Sequence, residues 1–180
     1  MAKVLVIRLS AIGDVAMTVP VIYSAAKANP EDSFTVLTQA FLMPLFMNRP
    51  PNVEVIGINT KGAEKGLIGL LKFISALLKF DFDVILDLHN VIRTIIICTF
   101  FRLNGKRVFV LDKARKERKR LTAIKGKRLY PLRPVIVRYA DVFRAAGLNY
   151  TETFTSLYEE FPAELFGMAS VKKKKKGKWI

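Results

Sequence analysis

Cysteine and histidine are almost absent from this chain: one of each, Cys98 and His89, in 180 residues. A single cysteine excludes an intramolecular disulfide framework and a Cys-cluster zinc site, and a single histidine excludes a multi-His metal centre. A reducing, cytoplasmic compartment is the default expectation. Acid is scarce too, with 15 Asp and Glu against 30 Lys and Arg and a net charge of +15. Long apolar runs are missing. The longest, Ile95 to Phe101 with Thr99 inside it, is far short of the ~20 residues a bilayer-spanning helix needs. At the N-terminus, Lys3 and an apolar tetrapeptide are followed too soon by Arg8 and Asp14 to read as a signal peptide. Neither Gly-x-Gly-x-x-Gly nor Gly-x-x-x-x-Gly-Lys-[Ser/Thr] occurs, which argues against a dinucleotide fingerprint or a P-loop.

What is present is a core. With 51% hydrophobic residues the chain is too rich in core formers for a disordered basic protein. Its length suggests one domain, able to bury roughly 70% of its extended-chain surface. The excess charge is concentrated in two places. Lys172 to Lys178 carries six Lys and no acid, and 112–128 carries nine basic residues against Asp112 and Glu117. These segments contribute +6 and +7, which leaves +2 of the total for the remainder. The tail reads as a self-repelling, solvated linker. The 112–128 segment reads as a basic loop between a strand and a helix, placed to meet a phosphate, carboxylate, nucleic acid or lipid headgroup.

Apolar, β-branched runs at Val4–Ile7, Phe34–Leu37, Val53–Ile56, Val84–Leu88 and Arg107–Val110 predict five strands, the first buried on both faces. Between them lie helical stretches at 15–28 (bent or bounded by Pro20), 41–47 (interrupted at Pro44), 66–80 and a largely buried 91–102. A last helix spans 134–146, with Pro near its start and Gly147 beyond its end. The alternation predicts an α/β fold, a doubly wound parallel sheet of Rossmann-like type. After a further helical stretch at 164–171 and the Lys run comes Trp179-Ile180, which reads as the opening of another strand. Either the sequence stops just inside a second domain, which is the favoured reading, or the pair folds back on the body.

Ligands of such sheets bind at the carboxyl ends of the strands. Two of those ends are polar. In Ser10-Ala-Ile-Gly-Asp14, Gly13 permits unusual backbone geometry and Asp14 stands at a helix start, where the dipole favours a carboxylate. An ordinary N-cap explains Asp14 equally well. In Asp87-Leu-His-Asn90, followed by Arg93, the side chains of His89, Asn90 and Arg93 offer hydrogen-bond donors at the same edge. His89 could be a base, a donor or a satisfied core histidine. Cys98, among isoleucines, reads as packing, and Tyr139 and Asp141 carry no distinctive signal.

The stretch Arg8-Leu-Ser-Ala-Ile-Gly-Asp-Val-Ala-Met-Thr-Val-Pro20 resembles the start of the lipopolysaccharide heptosyltransferases, the ADP-heptose-dependent glycosyltransferase family 9. Asp87-Leu-His-Asn-Val-Ile-Arg93 resembles that family's second N-terminal motif. The likeness covers about residues 1–165. It implies the acceptor-binding half of a GT-B fold, two Rossmann-like domains with the active site between them. Residues 166–177 would be the Lys-rich interdomain linker and 178–180 the start of a truncated C-terminal domain that binds most of the donor. It further implies an inverting, metal-independent transfer of heptose from ADP-heptose to the lipopolysaccharide inner core, with no cofactor. Helix termini and cationic side chains would stabilise the diphosphate leaving group. Asp14 would be the general base, and the fragment alone would be inactive. The acceptor is an anionic, lipid-linked sugar, so the resemblance implies a cytoplasmic protein in peripheral contact with the inner membrane. Ser10, Gly13, His89, Asn90 and Arg93 would line the acceptor site. Lys61, Lys65, Arg115, Arg118 and Arg120 would clamp its phosphates and carboxylates, the arginines leading because they bind bidentately.

Two rivals remain. One is a non-catalytic α/β module binding nucleic acid or another polyanion through the basic segments, although these contain almost no aromatics for base stacking before Tyr130. The other is a related glycosyltransferase using a different nucleotide-sugar.

Overall fold

The computed structural model describes residues 1–124 and 130–157. Five strands form one sheet: β1 (Lys3–Ile7), β2 (Ser33–Gln39), β3 (Val53–Ile58), β4 (Val84–Asp87) and β5 (Arg107–Val110). Their order is β3-β2-β1-β4-β5 and every neighbouring pair is parallel. The chain winds outward from β1 to β3, then returns to the other side of β1 for β4 and β5. Reversing direction in a sheet whose crossovers share one hand sends the two sets of helices to opposite faces. Accordingly α1 (Ile12–Ala16), α2 (Val19–Ala28), a 3-10 helix (Ala40–Phe46) and α6 (Val135–Ala145) cover one face, and α3 (Gly66–Leu78) and α4 (Ile92–Leu103) the other. The doubly wound parallel sheet expected from the sequence is the observed fold.

Strand alternation divides the core. Val4 and Val6 of β1 pack with Phe34, Tyr139 and Phe143 on the α2–α6 side. Leu5 and Ile7 pack with Leu70, Ile74, Ile97 and Phe101 on the α3–α4 side. Cys98 belongs to this second cluster, and burial pushes its thiol up to about 12, so it is an inert packing group as expected. Residues 150–157 fold back over α2, where the Ser24 hydroxyl accepts the backbone N–H groups of Thr153 and Phe154 and Tyr23 meets Phe154 edge-on.

Several expectations need correction. The helix expected over 15–28 is two helices, and of the two readings of Pro20 the boundary holds: it sits in the first turn of α2, where its missing N–H costs nothing. The basic segment is not a loop: its centre is a short helix, α5 (Arg115–Leu121), entered through a left-handed Ala114. The 3-10 helix runs through Pro44 rather than stopping there. Helix α4 buries only one face, leaving Ile92, Ile95 and Leu103 exposed. Lys125, Lys127 and Arg128, the stretch 164–171, the linker 166–177 and the segment 178–180 lie outside the described residues.

This division of the core is testable by equilibrium denaturation. Phe101 is fully buried against Phe82, so Phe101→Ala is expected to cost about 3–5 kcal/mol. Ile68→Ala, on the outer face of α3, is expected to change stability by less than about 0.5 kcal/mol.

Candidate functional site

The two directions of winding part between β1 and β4, and the loops leaving those strands diverge there. In sheets of this kind that crevice is the usual ligand site. Here it holds a cavity of about 300 Å³ lined by Arg8, Ser10, Asp14, His89, Lys113, Arg118, Arg138 and Tyr139, among others. Arg8 follows directly on β1, its backbone N–H still paired with Leu37 O. Its side chain is only 8% exposed. A buried guanidinium is costly unless partnered, and three partners surround it. Nη1 donates to the Leu88 carbonyl at 2.6 Å, Nη2 pairs with Asp14 Oδ2, and the guanidinium lies over the Tyr139 ring at 5.9 Å.

Asp14 stands at a helix start as expected, but it is not the N-cap. It sits in the first turn of the five-residue α1, whose cap residue is Ala11, and Arg8 holds its side chain. No described residue engages its second oxygen. Gly13 differs from expectation as well. It has no positive φ, and a Cβ built there would meet nothing within 4 Å. The open space beside it, rather than special backbone geometry, is what Gly13 supplies.

The β4 loop is organised by Asp87, which is fully buried. Its Oδ1 accepts the backbone N–H groups of His89 and Asn90, and its Oδ2 accepts the Thr94 hydroxyl. These bonds turn the chain sharply, with Asn90 left-handed at φ 51, and set the His89 ring opposite Ser10, Nε2 to Oγ 3.5 Å. Burial, then the charges of Arg8 and Lys113, push His89 down from an ordinary 6.5 to about 4. It is neutral at physiological pH, a hydrogen-bonding group rather than a cation. Lys113 is shifted down too, by burial and by its neighbours Arg115 and Arg8.

Five buried side-chain polar atoms have no hydrogen-bond partner among the described residues, and four belong to this cavity: Arg8 Nε, His89 Nδ1, Arg138 Nε and Tyr139 Oη. Buried polar groups are nearly always satisfied, so such a cluster fits a polar ligand. No group of three His, Cys, Asp or Glu side chains that could hold a metal ion occurs among the described residues.

Of the residues singled out in the sequence, Ser10, Asp14, His89 and Arg118 meet in this cavity. Asn90 uses its amide on the Leu111 carbonyl and, with Arg115, lines an adjoining cavity of about 430 Å³ that shares Lys113 with the first. Arg93 turns away and donates to the Glu64 carbonyl, in the loop before α3 that also carries exposed Lys61 and Lys65. These three gather at a separate place on the same sheet edge. Arg120 is exposed on α5 and lines neither cavity. Sequence reasoning overlooked the roles of Arg8, Lys113, Arg138 and Tyr139. Arg8 had a readable signal, a cation closing a strand buried on both faces. Arg138 and Tyr139 had none, since they arrive on α6 from far along the chain.

Because the chain has one histidine, its imidazole resonances are unambiguous. In an NMR titration they are expected to stay at neutral positions through pH 6 and to move with a midpoint of about 4. Lys113→Met, which removes a repelling charge, is expected to raise that midpoint. The folded value lies below the unfolded one. His89 therefore favours folding fully above pH 6.5, and that contribution is lost as pH falls toward 4. His89→Gln is expected to flatten this part of the stability profile.

No family model matches the sequence, and no curated protein does. Solved structures share the fold. The crystal structure of the glycosyl transferase family 9 from Veillonella parvula DSM 2008 matches with a TM-score of 0.63 and 21% identity, over 93% of this chain and 48% of that one. E. coli heptosyltransferase WaaC with ADP matches with a TM-score of 0.57 and 22% identity, over 86% of this chain and 49% of that one. E. coli ADP-heptose lps heptosyltransferase II matches with a TM-score of 0.50 and 21% identity, over 78% and 39%. The chain thus spans half or less of the length of these proteins, and what it shares with them is the Rossmann-like fold of one of their halves.

Proposed function

We propose that this chain is the acceptor-binding half of a glycosyltransferase of family 9 type, one that transfers heptose from ADP-heptose to an anionic, lipid-linked sugar of the lipopolysaccharide inner core. The observation that carries the reading is the cavity at the β1–β4 switch point, where the Asp14 carboxylate is held by Arg8 inside a wall of cations. The two motifs that resemble the heptosyltransferases contribute Arg8, Ser10, Asp14 and His89 to this cavity, and solved members of that group share the fold.

In this reading the acceptor hydroxyl lies against the second oxygen of Asp14. As the hydroxyl oxygen attacks the anomeric carbon, its proton passes to Asp14. The bond from that carbon to the diphosphate breaks with inversion, and ADP departs with the electron pair. Arg8 acts through Asp14 by fixing its orientation. Neutral His89 and Ser10 offer uncharged hydrogen bonds to sugar hydroxyls. Lys113, Arg118 and Arg138 answer the acceptor's phosphates and carboxylates, with Arg115 extending the basic wall into the adjoining cavity. The donor nucleotide belongs mainly to a second domain outside this sequence.

Fused to the donor-binding half of a solved heptosyltransferase, the chain is expected to transfer heptose. Asp14→Asn is expected to lower turnover by at least ~10²-fold while acceptor binding persists. The 180 residues alone are expected to bind a phosphorylated, deacylated Kdo sugar in calorimetry without nucleotide. A shielded charge-assisted contact is worth roughly 1.5–3 kcal/mol and an exposed one far less. Half-buried Arg138 lines the cavity, so Arg138→Gln is expected to weaken binding markedly, exposed Arg118→Gln at the cavity mouth less, and Arg120→Gln, outside the cavity, hardly at all. Equal losses at all three positions, with RNA competing as well as the sugar, would return the site to generic polyanion attraction.

A further inference from the structure

The two faces of the sheet are finished differently. On one, α2 is covered by residues 150–157, and α6 turns Asp141 and Arg144 outward, with Asp141 paired to Arg133 and Arg144. On the other, α3 and α4 carry exposed apolar residues as well as the buried ones. Helix α4 buries Thr94, Ile97, Cys98 and Phe101, yet its opposite side carries Ile92, Ile95 and Leu103, with Ile92 80% exposed. Helix α3 buries Leu70, Ile74 and Leu77, yet Leu67 and Ile68 are 60% and 74% exposed, and Lys72 is its one charge. Large apolar side chains gathered on one exposed face mark an interaction surface.

The charges around this face have one sign. Residues 66–80 and 92–103 contain Lys72, Lys79, Arg93 and Arg102 and no acid. The acids flanking them in sequence are engaged. Glu64 accepts the Asn59 N–H, Asp81 pairs with Lys106, and Asp83 accepts the Lys3 N–H. Lys61 and Lys65 extend the basic rim beside Arg93. A second copy of the chain would set like charges against each other across the interface, in a protein of net charge +15. An apolar face inside a basic rim is complementary to a surface that is anionic outside and apolar beneath.

We propose that the outer face of α3 and α4 docks on an anionic lipid bilayer, with Leu67, Ile68, Ile92 and Leu103 entering the headgroup–acyl boundary and Lys72, Arg93 and Arg102 meeting lipid phosphates. Both helices begin at the carboxyl edge of the sheet, the edge that holds the cavity, so a lipid-borne ligand would be presented along the membrane toward it. The proposal deepens the reading above by giving its membrane contact a surface. Its test uses no sugar and no nucleotide, so either can fail without the other.

The test is co-sedimentation of the 180-residue chain with phosphatidylcholine vesicles, with and without phosphatidylglycerol. Binding is expected only with the anionic lipid, weakened but not abolished by salt. The triple variant Leu67→Ser, Ile68→Ser, Ile92→Ser leaves charge unchanged and is expected to bind about tenfold or more weakly. Replacing Lys173 to Lys176 by Gln is expected to cost little. Full binding by the triple-serine variant, or loss of binding with the tail variant alone, would overturn the proposal in favour of generic attraction. So would a dimer of the parent chain that becomes a monomer in the triple variant, since a second copy would then own this face. A labelled cysteine keeps the test independent of variant stability, because Cys98 is too buried to react. An environment-sensitive dye on Ile68→Cys is expected to shift blue on anionic vesicles, and on Val137→Cys, in the opposite layer, not to shift. Equal shifts at both positions, or none at Ile68→Cys, would likewise overturn it.

Discussion

A guanidinium that ends a strand buried on both faces must find its partners inside the protein, because water reaches it from almost nowhere. Arg8 is in that position, and the architecture around the crevice follows from meeting its requirements. The Leu88 carbonyl ties it to the end of β4, the Asp14 carboxylate to α1, and the Tyr139 ring to α6. Three elements, two of them remote in sequence from Arg8, are thereby held around one cation. Asp14, which an isolated reading would treat as a helix cap, becomes the oriented carboxylate of a cavity because Arg8 claims one of its oxygens.

The electrostatics of the crevice grow from the same placement. Arg8 and Lys113 act on a half-buried imidazole that burial has already biased against protonation, so His89 stands neutral in a basic surround. Asp87 fixes where that imidazole sits by gathering two backbone N–H groups and one hydroxyl, the usual way a buried carboxylate is stabilised. The result is a site with one oriented carboxylate, one uncharged nitrogen heterocycle and several cations. That combination suits a hydroxylated, anionic ligand better than a hydrophobic one.

The contrast between the two helical layers has a common physical root with the site. A doubly wound sheet needs apolar cover on both faces, and each helix need supply only one apolar stripe. Helix α6 does so and spends its other side on charges. Helices α3 and α4 carry apolar residues beyond what the core uses, and no described residue covers their outer surface.

Much of the fold was legible in the sequence because it rests on local pattern. Five short apolar runs separated by helical stretches permit little except a parallel sheet covered on both faces, and the motif ends at Ser10–Asp14 and Asp87–Asn90 mark the polar carboxyl edge. Local pattern misled where a proline or a charge run could be read in two ways: Pro20 divides a helix, and the basic segment coils into α5. Which charges share a site was decided by tertiary structure alone. Arg93 and Arg118 look equivalent in sequence, yet one turns to Glu64 and the other faces the cavity, and Arg138 and Tyr139 come to Arg8 from 130 residues away on a helix with no motif. Strand and helix periodicity is a property of neighbours along the chain. The partners of a buried charge are set by which elements the sheet order brings together, and that order is written in packing between distant residues.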